Sequence, residues 1–147
     1  MVSLRPFTMQ DAAVIREKQM PSASMDEVLG MIKAWESKIF QGKYFDMLAL
    51  TADHTIVGSV SLYGHTEKIA SVGMEVFPDE RGKGYAAEGM RLILEKARER
   101  GYRVILDQVR SDNAASIALH EKLGFETDGY RYKNAKDREV LIYLLCL

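Results

Sequence analysis

The sequence predicts an α/β (α+β) fold built on a mixed, mostly antiparallel central sheet of about seven strands, with helices on both faces. The main support is a set of three apolar runs joined by short connections, as in antiparallel neighbours: residues 45–51, 55–62 and 69–77. A helical pattern from Ala86 to Ala97 then leads to another apolar run at 103–109. A connection one helix long makes two strands parallel, so we expect one right-handed β-α-β crossover here.

The N-terminal third is predicted to hold one short strand, at residues 2–7, and two helices. Ser24 and Glu27 form a Ser-x-x-Glu capping box, which is typical of the start of a helix. The apolar residues that follow are spaced by four, three and four positions: Val28, Ile32, Trp35 and Ile39. This spacing is one face of a helix, which we expect to run as far as residues 41–43.

The C-terminal part is predicted to add one helix and a closing hairpin. Asn113 is a suitable cap for a helix over residues 114–123, and Gly124 follows at the expected stop. The apolar segments 125–132 and 140–147 are predicted to pair as two antiparallel strands. Since no repeat or linker interrupts the chain, residues 1–147 are expected to form a single domain.

Composition and charge exclude several classes of protein. A formal net charge of −1 argues against a protein that binds nucleic acid through bulk positive charge. Cys146 is the single cysteine, so no internal disulfide is possible, and His54, His65 and His120 show no metal-ligand spacing. The N-terminus lacks an apolar signal core, and the longest apolar stretch, 140–147, is far too short to span a membrane. We therefore expect a cytoplasmic protein that uses no metal and contacts no membrane.

The most informative stretch is a glycine-rich turn between a strand and a helix. Pro78 ends the apolar run, and Arg81-Gly82-Lys83-Gly84 bends the chain just before the helical pattern begins. Glycines let the backbone approach a ligand closely, and the first turn of a helix presents N–H groups that have no partner within the helix. The helix dipole and the basic side chains add positive potential. The turn is therefore predicted to hold a phosphate or a pyrophosphate.

Two phosphate-binding motifs can be compared with this turn. A P-loop is excluded, because Phe77 and Gly84 stand where that motif requires glycine and Ser or Thr. A dinucleotide fingerprint is matched by Gly82, Gly84 and Ala87, and Asp107 follows about twenty residues later, where a ribose-binding acid belongs. However, the glycines of that fingerprint follow their strand directly, whereas here the four residues 78–81 separate the strand from Gly82. A dinucleotide-binding protein is therefore a remote alternative.

Two motifs in the chain resemble the GNAT superfamily of N-acetyltransferases. Residues 81–86, Arg-Gly-Lys-Gly-Tyr-Ala, are similar to that family's Arg/Gln-x-x-Gly-x-Gly/Ala turn. Asn113 opens a helix that ends in Gly124-Phe125, which is similar to the second hallmark of the family. The run Leu-His-Glu-Lys-Leu-Gly-Phe resembles the phosphinothricin-type enzymes, whereas residues 84–88 resemble the branch that acts on protein N-termini and polyamines. The predicted order of elements fits the family over the whole chain.

The resemblance implies a reaction and a cosubstrate. The reaction is transfer of the acetyl group of acetyl-coenzyme A (acetyl-CoA) to a primary amine, directly within a ternary complex. The amine would belong to a small molecule or to a peptide or protein N-terminus, and a homodimer is common in the family. The strand before the turn is expected to part from its parallel neighbour and admit the pantetheine arm. The implied coenzyme-binding residues are Val76, Phe77, Arg81, Gly82, Lys83, Gly84, Tyr85, Ala86, Asn113 and Ser116.

The resemblance says less about the catalytic residues. The family often has a tyrosine as the acid in its second helix, and His120 stands at that position. A histidine gives and accepts protons near neutral pH, but His120 is also suited to packing in the core. Some relatives have a glutamate base where this chain has Gln108, which leaves Glu75 as the candidate base unless it merely faces solvent. These departures keep open a second alternative, a non-catalytic acyl-CoA-binding module of the same fold.

Overall fold

The fold is organised on one mixed sheet of eight strands, and the computed structural model describes residues 1–147. The strands are β1 (Val2–Pro6), β2 (Ile39–Phe40), β3 (Lys43–Ala52), β4 (Thr55–Gly64), β5 (Ile69–Val76), β6 (Val104–Arg110), β7 (Arg131–Lys133) and β8 (Glu139–Cys146). Their order is β1-β3-β4-β5-β6-β8-β7, and β2 pairs with β3. Every neighbouring pair is antiparallel except β5 and β6. The mixed, mostly antiparallel sheet is confirmed, with β2 as an additional short strand.

Four helices connect the strands, and one of them makes the parallel crossover. They are α1 (Ala12–Lys18), α2 (Met25–Trp35), α3 (Tyr85–Glu99) and α4 (Ala114–Lys122). The crossover helix α3 leads from β5 to β6, and its predicted apolar face is buried from Met90 to Ala97. None of these helices combines the length and the apolar character that crossing a lipid bilayer requires.

Strand alternation divides the apolar side chains between the two faces of the sheet. On one face, Leu50 of β3 packs with Ile93 of α3 in a cluster of 19 buried residues. On the other face, the adjacent Ala49 packs with Ile15 of α1 and Ile32 of α2 in a cluster of eight. Burying a leucine or isoleucine side chain contributes roughly 1.5–3 kcal/mol to the stability of the fold. The two clusters therefore hold helices on both faces, as predicted.

Helix α3 packs against the side chains of the sheet at Gly89 with no space for a Cβ atom. A Cβ atom at this position would lie 2.8 Å from Cε of Met74 on β5 and 2.9 Å from Cδ1 of Leu50 on β3. Leu50 is fully buried, so it has no room to turn away from an added methyl group. The absence of a side chain at Gly89 therefore sets the distance between α3 and the strands beneath it.

The predicted second helix is correct at its start and wrong at its end. Its capping box is present: Ser24 Oγ accepts the N–H of Glu27, and Glu27 Oε1 accepts the N–H of Ser24, both at 3.1 Å. The helix ends at Trp35 rather than at residues 41–43, because Lys38 adopts a φ of 55° that no helix continues through. Ile39 then pairs with Tyr44 of β3 instead of continuing the helical face.

The predicted strand over residues 125–132 is also wrong in part. Only the three-residue β7 and an isolated bridge from Glu126 to Leu144 pair with β8. Between them, the side chain of Thr127 accepts the N–H of Gly129 at 3.2 Å, and that of Asp128 accepts the N–H of Tyr130 at 2.9 Å. These local hydrogen bonds take the amides that a strand would have used, and Gly129 turns the chain with a φ of 77°.

Candidate active site

A cleft of about 950 Å³ opens where β5 and β6 separate and extends to the turn before α3. The predicted site residues that line it are Glu75, Val76, Arg81, Gly82, Gly84, Tyr85, Ala86, Asn113, Ser116 and His120. The structure does not bring Phe77 or Lys83 into this cleft. Phe77 is 1% exposed and belongs to the core beneath α1 and α2, while the exposed side chain of Lys83 pairs with Glu80 at 2.9 Å.

The cleft exists because β5 and β6 remain paired over only two residues. Ile69 pairs with Val104 and Ala70 with Ile105, and no pair follows. On its other side β5 stays paired with β4 as far as Val76, so the strand keeps its place in the sheet. The separation that the resemblance implied is therefore present, and one edge of β5 is free of a neighbouring strand.

This free edge offers backbone groups to a ligand. Phe77 donates its N–H to the carbonyl of Val57 on β4 at 2.8 Å. Because hydrogen bonds along an antiparallel strand alternate between its two sides, the N–H of Val76 faces the cleft. An N–H in this position can stabilise negative charge that develops on a carbonyl oxygen.

The glycine-rich turn presents further amides at the end of the same edge. Gly82 and Gly84 have φ values of 81° and 83°, a region that residues with a side chain rarely adopt. Gly84 is the N-cap of α3 and supplies no side chain to cap the helix. The first amides of α3, at Tyr85 and Ala86, therefore keep their N–H groups for an anion, aided by the helix dipole.

Arg81 joins the turn to the free edge of β5. Its Nε donates to the carbonyl of Val76 at 3.0 Å. The two terminal guanidinium nitrogens have no partner in the protein, so they are available to a phosphate oxygen beside the turn. The positive side chain that faces the cleft at this end is therefore that of Arg81 rather than that of Lys83.

On the opposite wall, Asn113 and Ser116 combine a capping role with a place in the cleft. Asn113 is the N-cap of α4, and its Oδ1 accepts the N–H of Ser116 at 3.1 Å. Both residues line the cleft, so capping and contact with a ligand are compatible at these positions. The cap fixes the N-terminal turn of α4 at the wall of the cleft.

Glu75 lies on the side of the cleft that faces α1 and α2. Its neighbours Met74 and Val76 pack towards α3, so strand alternation turns the Glu75 side chain to the other face. It is exposed there and lies across from Ser59 of β4, which accepts a hydrogen bond from Gln19 Nε2 at 3.0 Å. An amine that arrives on this face would meet an unpaired carboxylate.

His120 lines the cleft but has both ring nitrogens engaged. Nε2 lies 2.9 Å from Oδ2 of Asp107, and Nδ1 lies 2.8 Å from the carbonyl oxygen of Ser116. Both partners are acceptors, so the ring satisfies both contacts only as the doubly protonated imidazolium. Its protons are held by the protein, which favours a structural role over delivery of a proton to a leaving group.

The pKa of His120 agrees with this arrangement. Burial lowers the pKa of the ring, but the hydrogen bonds to Asp107 and to the Ser116 carbonyl outweigh it, and the pKa is raised above its ordinary value of 6.5. The Asp107 and His120 side chains are only 5% and 7% exposed. The pair is therefore a buried ion pair at the wall of the cleft.

Three polar residues lie at the inner end of the cleft that the acetyltransferase resemblance did not assign: Ser71, His65 and Asp107. The Ser71 hydroxyl donates to the carbonyl of Leu106, so His65 Nε2 is the donor in its 2.6 Å contact with Ser71 Oγ. Asp107 is bound to His120 and to the N–H of Val72, which leaves it unable to serve as a ribose-binding acid. A signal for Asp107 was present, because a carboxylate within an apolar strand requires a partner.

Comparison with known proteins identifies the family. The profile of the Acetyltransferase (GNAT) family matches residues 10–125. The uncharacterized N-acetyltransferase YokL, derived from prophage SPbeta of Bacillus subtilis, is 30% identical over 126 residues, which are 84% of this chain and 70% of YokL. The ribosomal protein bS18-alanine N-acetyltransferase of Salmonella typhimurium is 26% identical over 142 residues, 92% of this chain and 96% of that enzyme. The chain therefore belongs to the GNAT family of acetyltransferases.

Other similarities are shorter or concern the fold. An L-methionine sulfoximine/L-methionine sulfone acetyltransferase of Pseudomonas aeruginosa is 45% identical over 51 residues, and this match covers only 30% of that protein. The yncA protein of Salmonella typhimurium, solved with acetyl-CoA, superposes with a TM-score of 0.73 at 21% identity, over 100% of this chain and 94% of that one. RimJ of Mycobacterium smegmatis, in complex with CoA-disulfide, gives a TM-score of 0.85 at 19% identity, over 99% and 81%. These structures share the GNAT fold.

The buried ion pair predicts how stability depends on pH. Because folding raises the pKa of His120, protonation stabilises the folded state, and this contribution is complete below the unfolded value of 6.5. It is lost as pH rises through the higher folded pKa, at no more than about 1.4 kcal/mol per pH unit. Urea unfolding from pH 6 to pH 9 should therefore show wild type losing stability faster than His120→Gln. Parallel curves for the two proteins would contradict the ion pair.

Proposed function

We propose that this protein is an N-acetyltransferase that moves the acetyl group of acetyl-CoA to a primary amine by direct transfer in a ternary complex. One observation carries the proposal: the free edge of β5 and the amides at the N-terminus of α3 line the same cleft. An extended amide-containing arm fits the edge, and a pyrophosphate fits the amides. One cleft thus offers matching groups to the pantetheine arm and to the pyrophosphate of coenzyme A.

The residues that line the cleft fit this cosubstrate. The amides of Tyr85 and Ala86 bind the pyrophosphate, and Gly82 and Gly84 keep the approach open. The free guanidinium nitrogens of Arg81 add a charged donor at the same end. Asn113 and Ser116 flank the pantetheine arm on the side of α4. Acetyl-CoA itself supplies the activated acyl group.

The chemistry requires two groups of the protein near the thioester. The N–H of Val76 faces the cleft and stabilises the carbonyl oxygen while the amine nitrogen forms its bond to the acyl carbon and the carbon–sulfur bond breaks. Coenzyme A leaves as its thiolate, which takes up the second proton that the nitrogen loses and is released as the thiol. Glu75 faces the side from which an amine approaches, and its carboxylate accepts the proton that the amine loses. His120 takes no proton-transfer role in this proposal, because both of its nitrogens are engaged.

The acceptor is proposed to be the primary amine of a small molecule or of a peptide N-terminus. The relatives support this class, since one is named for a ribosomal protein alanine and another for methionine sulfoximine. The connection between β7 and β8 reaches the cleft, since Asn134 Nδ2 donates to Oε1 of the cleft residue Gln108 at 3.4 Å. The exposed rings of Phe40 and Tyr130 are proposed to contact the rest of an acceptor.

Release of coenzyme thiol from acetyl-CoA tests the function directly. The assay uses free amino acids, polyamines and short peptides with a free N-terminus, and the N-acetylated form of each peptide is the matched control. We expect thiol release that depends on a free amine. Binding of coenzyme A with no turnover on any amine would instead favour the non-catalytic acyl-CoA-binding module.

A glycine substitution tests the anion-binding turn. In Gly84→Val, the side chain should block approach to the helix amides, and affinity for coenzyme A should fall about 100-fold by isothermal titration calorimetry. Gly101→Val is the matched control, because Gly101 has a similar φ of 94° and equally open surroundings but lies at the far end of α3. Equal affinities of the two variants for coenzyme A would contradict the assignment of this turn.

A carboxylate substitution tests the proposed base. Glu75→Gln keeps the shape of the side chain but removes its ability to accept a proton, so kcat should fall about 100-fold while KM for acetyl-CoA changes little. Glu67→Gln, in the exposed loop between β4 and β5, is the control and should keep wild-type kinetics. An unchanged kcat in Glu75→Gln would mean that the amine loses its proton elsewhere.

A further inference from the structure

We propose that Asp107, held by His120, is a positioning residue that fixes where β5 and β6 separate and thereby how much of the β5 edge the coenzyme arm can use. This inference rests on the proposed function. The three groups involved are the N–H of Val72, the carboxylate of Asp107 and the ring of His120, and together they are called the clamp here.

The clamp stands at the point where the parallel ladder stops. Ala70 and Ile105 form the last residue pair of β5 and β6. The next amide of β5 on this side is that of Val72, and it donates to Oδ1 of Asp107 at 3.0 Å rather than to a backbone carbonyl of β6. A side chain placed between the strands holds them farther apart than a direct backbone hydrogen bond would. The carboxylate therefore acts as a spacer between the two strands.

The position of this spacer is fixed from α4. Oδ2 of Asp107 accepts from Nε2 of His120 at 2.9 Å, and Nδ1 of the same ring donates to the Ser116 carbonyl at 2.8 Å. The ring also packs edge-on against Phe125, with centroids 4.7 Å apart. Both carboxylate oxygens are thus bound inside a buried ion pair, and the carboxylate has no other position that satisfies these partners.

A second side chain satisfies the opposing backbone group. Leu106 of β6 has its carbonyl bound by the hydroxyl of Ser71, which in turn accepts a hydrogen bond from His65 at 2.6 Å. The amide of Val72 and the carbonyl of Leu106 are the groups that could extend pairing, and each already has a side-chain partner. The separation is therefore an arrangement built by side chains, and it stops the strands from pairing farther into the cleft.

Removal of the clamp should change the cleft more than the fold. Without the carboxylate, the Val72 N–H is left without a partner unless β6 moves towards β5 and offers a carbonyl. Such movement would narrow the inner end of the cleft, which Val72, Asp107 and His120 all line. The rest of the sheet would stay paired, since β4 and β8 hold the outer edges of β5 and β6.

Three variants separate positioning from general stability. The double variant Asp107→Leu/His120→Phe replaces the ion pair with apolar groups of similar size, an exchange that buried ion pairs often tolerate. Asp107→Asn keeps an oxygen for Val72 and an NH₂ group for the Nε2 of a neutral His120, so it should preserve the spacing. The control is Asp46→Leu/Tyr44→Phe, because Asp46 is also a buried carboxylate, bound by the Tyr44 hydroxyl at 3.2 Å, but lies outside the cleft.

The expected results are measured as affinity for coenzyme A and as steady-state kinetics. The double variant should bind coenzyme A about tenfold more weakly and raise KM for acetyl-CoA by a similar factor, with a smaller change in kcat. Asp107→Asn should stay within about threefold of wild type for both quantities, and so should the Asp46 control. A double variant that keeps wild-type affinity for coenzyme A, or an Asp107→Asn variant that loses as much as the double variant, would overturn the inference.

Amide hydrogen exchange at Val72 gives a readout that does not depend on catalysis. The Val72 N–H should be protected in wild type and in Asp107→Asn, and rapid exchange of this amide in wild type would overturn the clamp. If the double variant does not fold, His120→Gln, which removes the imidazolium that holds Asp107, takes its place and should weaken coenzyme A binding by more than about threefold. Failure of the proposed function would look different, since wild type itself would then neither bind coenzyme A nor release thiol.

Discussion

The separation of β5 from β6 after two residue pairs is the constraint on which the rest of the site depends. Backbone N–H and C=O groups are almost always paired in folded proteins, so a strand edge that is open to a ligand has to be kept from its neighbour. Here β4 holds β5 on its other side, and side chains satisfy the groups at which the ladder stops. The strand can therefore offer an edge without leaving the sheet.

The groups that are proposed to attract an anion to this site act locally and owe little to the charge of the whole protein. The formal net charge is −1, and Glu80 beside the turn is already paired with Lys83. What remains is a set of backbone amides at a helix N-terminus and the side chain of Arg81, both of which act over short distances. Such a site selects a phosphate group by geometry, and a protein of this kind need not be basic overall.

The parts of the fold that were predicted from sequence are those that local signals determine. The capping box at Ser24, the apolar face of α3 and the glycine-rich turn each lie within a few consecutive residues. The predictions were wrong where a few backbone torsions or side-chain hydrogen bonds decided the outcome, at Lys38 and around Thr127 and Asp128. In both places hydrophobic periodicity suggested a longer element than the one that formed.

The candidate site divides in the same way. The turn before α3 was predictable because its residues are contiguous, whereas the hydrogen bonds of Asp107 join residues 35 and 13 positions apart. Pairings over such distances arise only when the sheet and α4 come together, and no spacing in the sequence encodes them. The sequence likewise placed His120 at a family position without showing that both of its nitrogens would be engaged.

Gly89 gives this architecture a consequence that reaches beyond the residues of the cleft. The amides of the turn belong to α3 and the free edge belongs to β5, and at Gly89 an added Cβ atom on α3 would meet the side chains of Met74 on β5 and Leu50 on β3. The spacing between the two halves of the binding site is therefore encoded at a position that no ligand touches. An extra methyl group there would leave every functional group intact and still have to displace Met74 or Leu50 between the two halves, so a search for important positions confined to polar residues would overlook it.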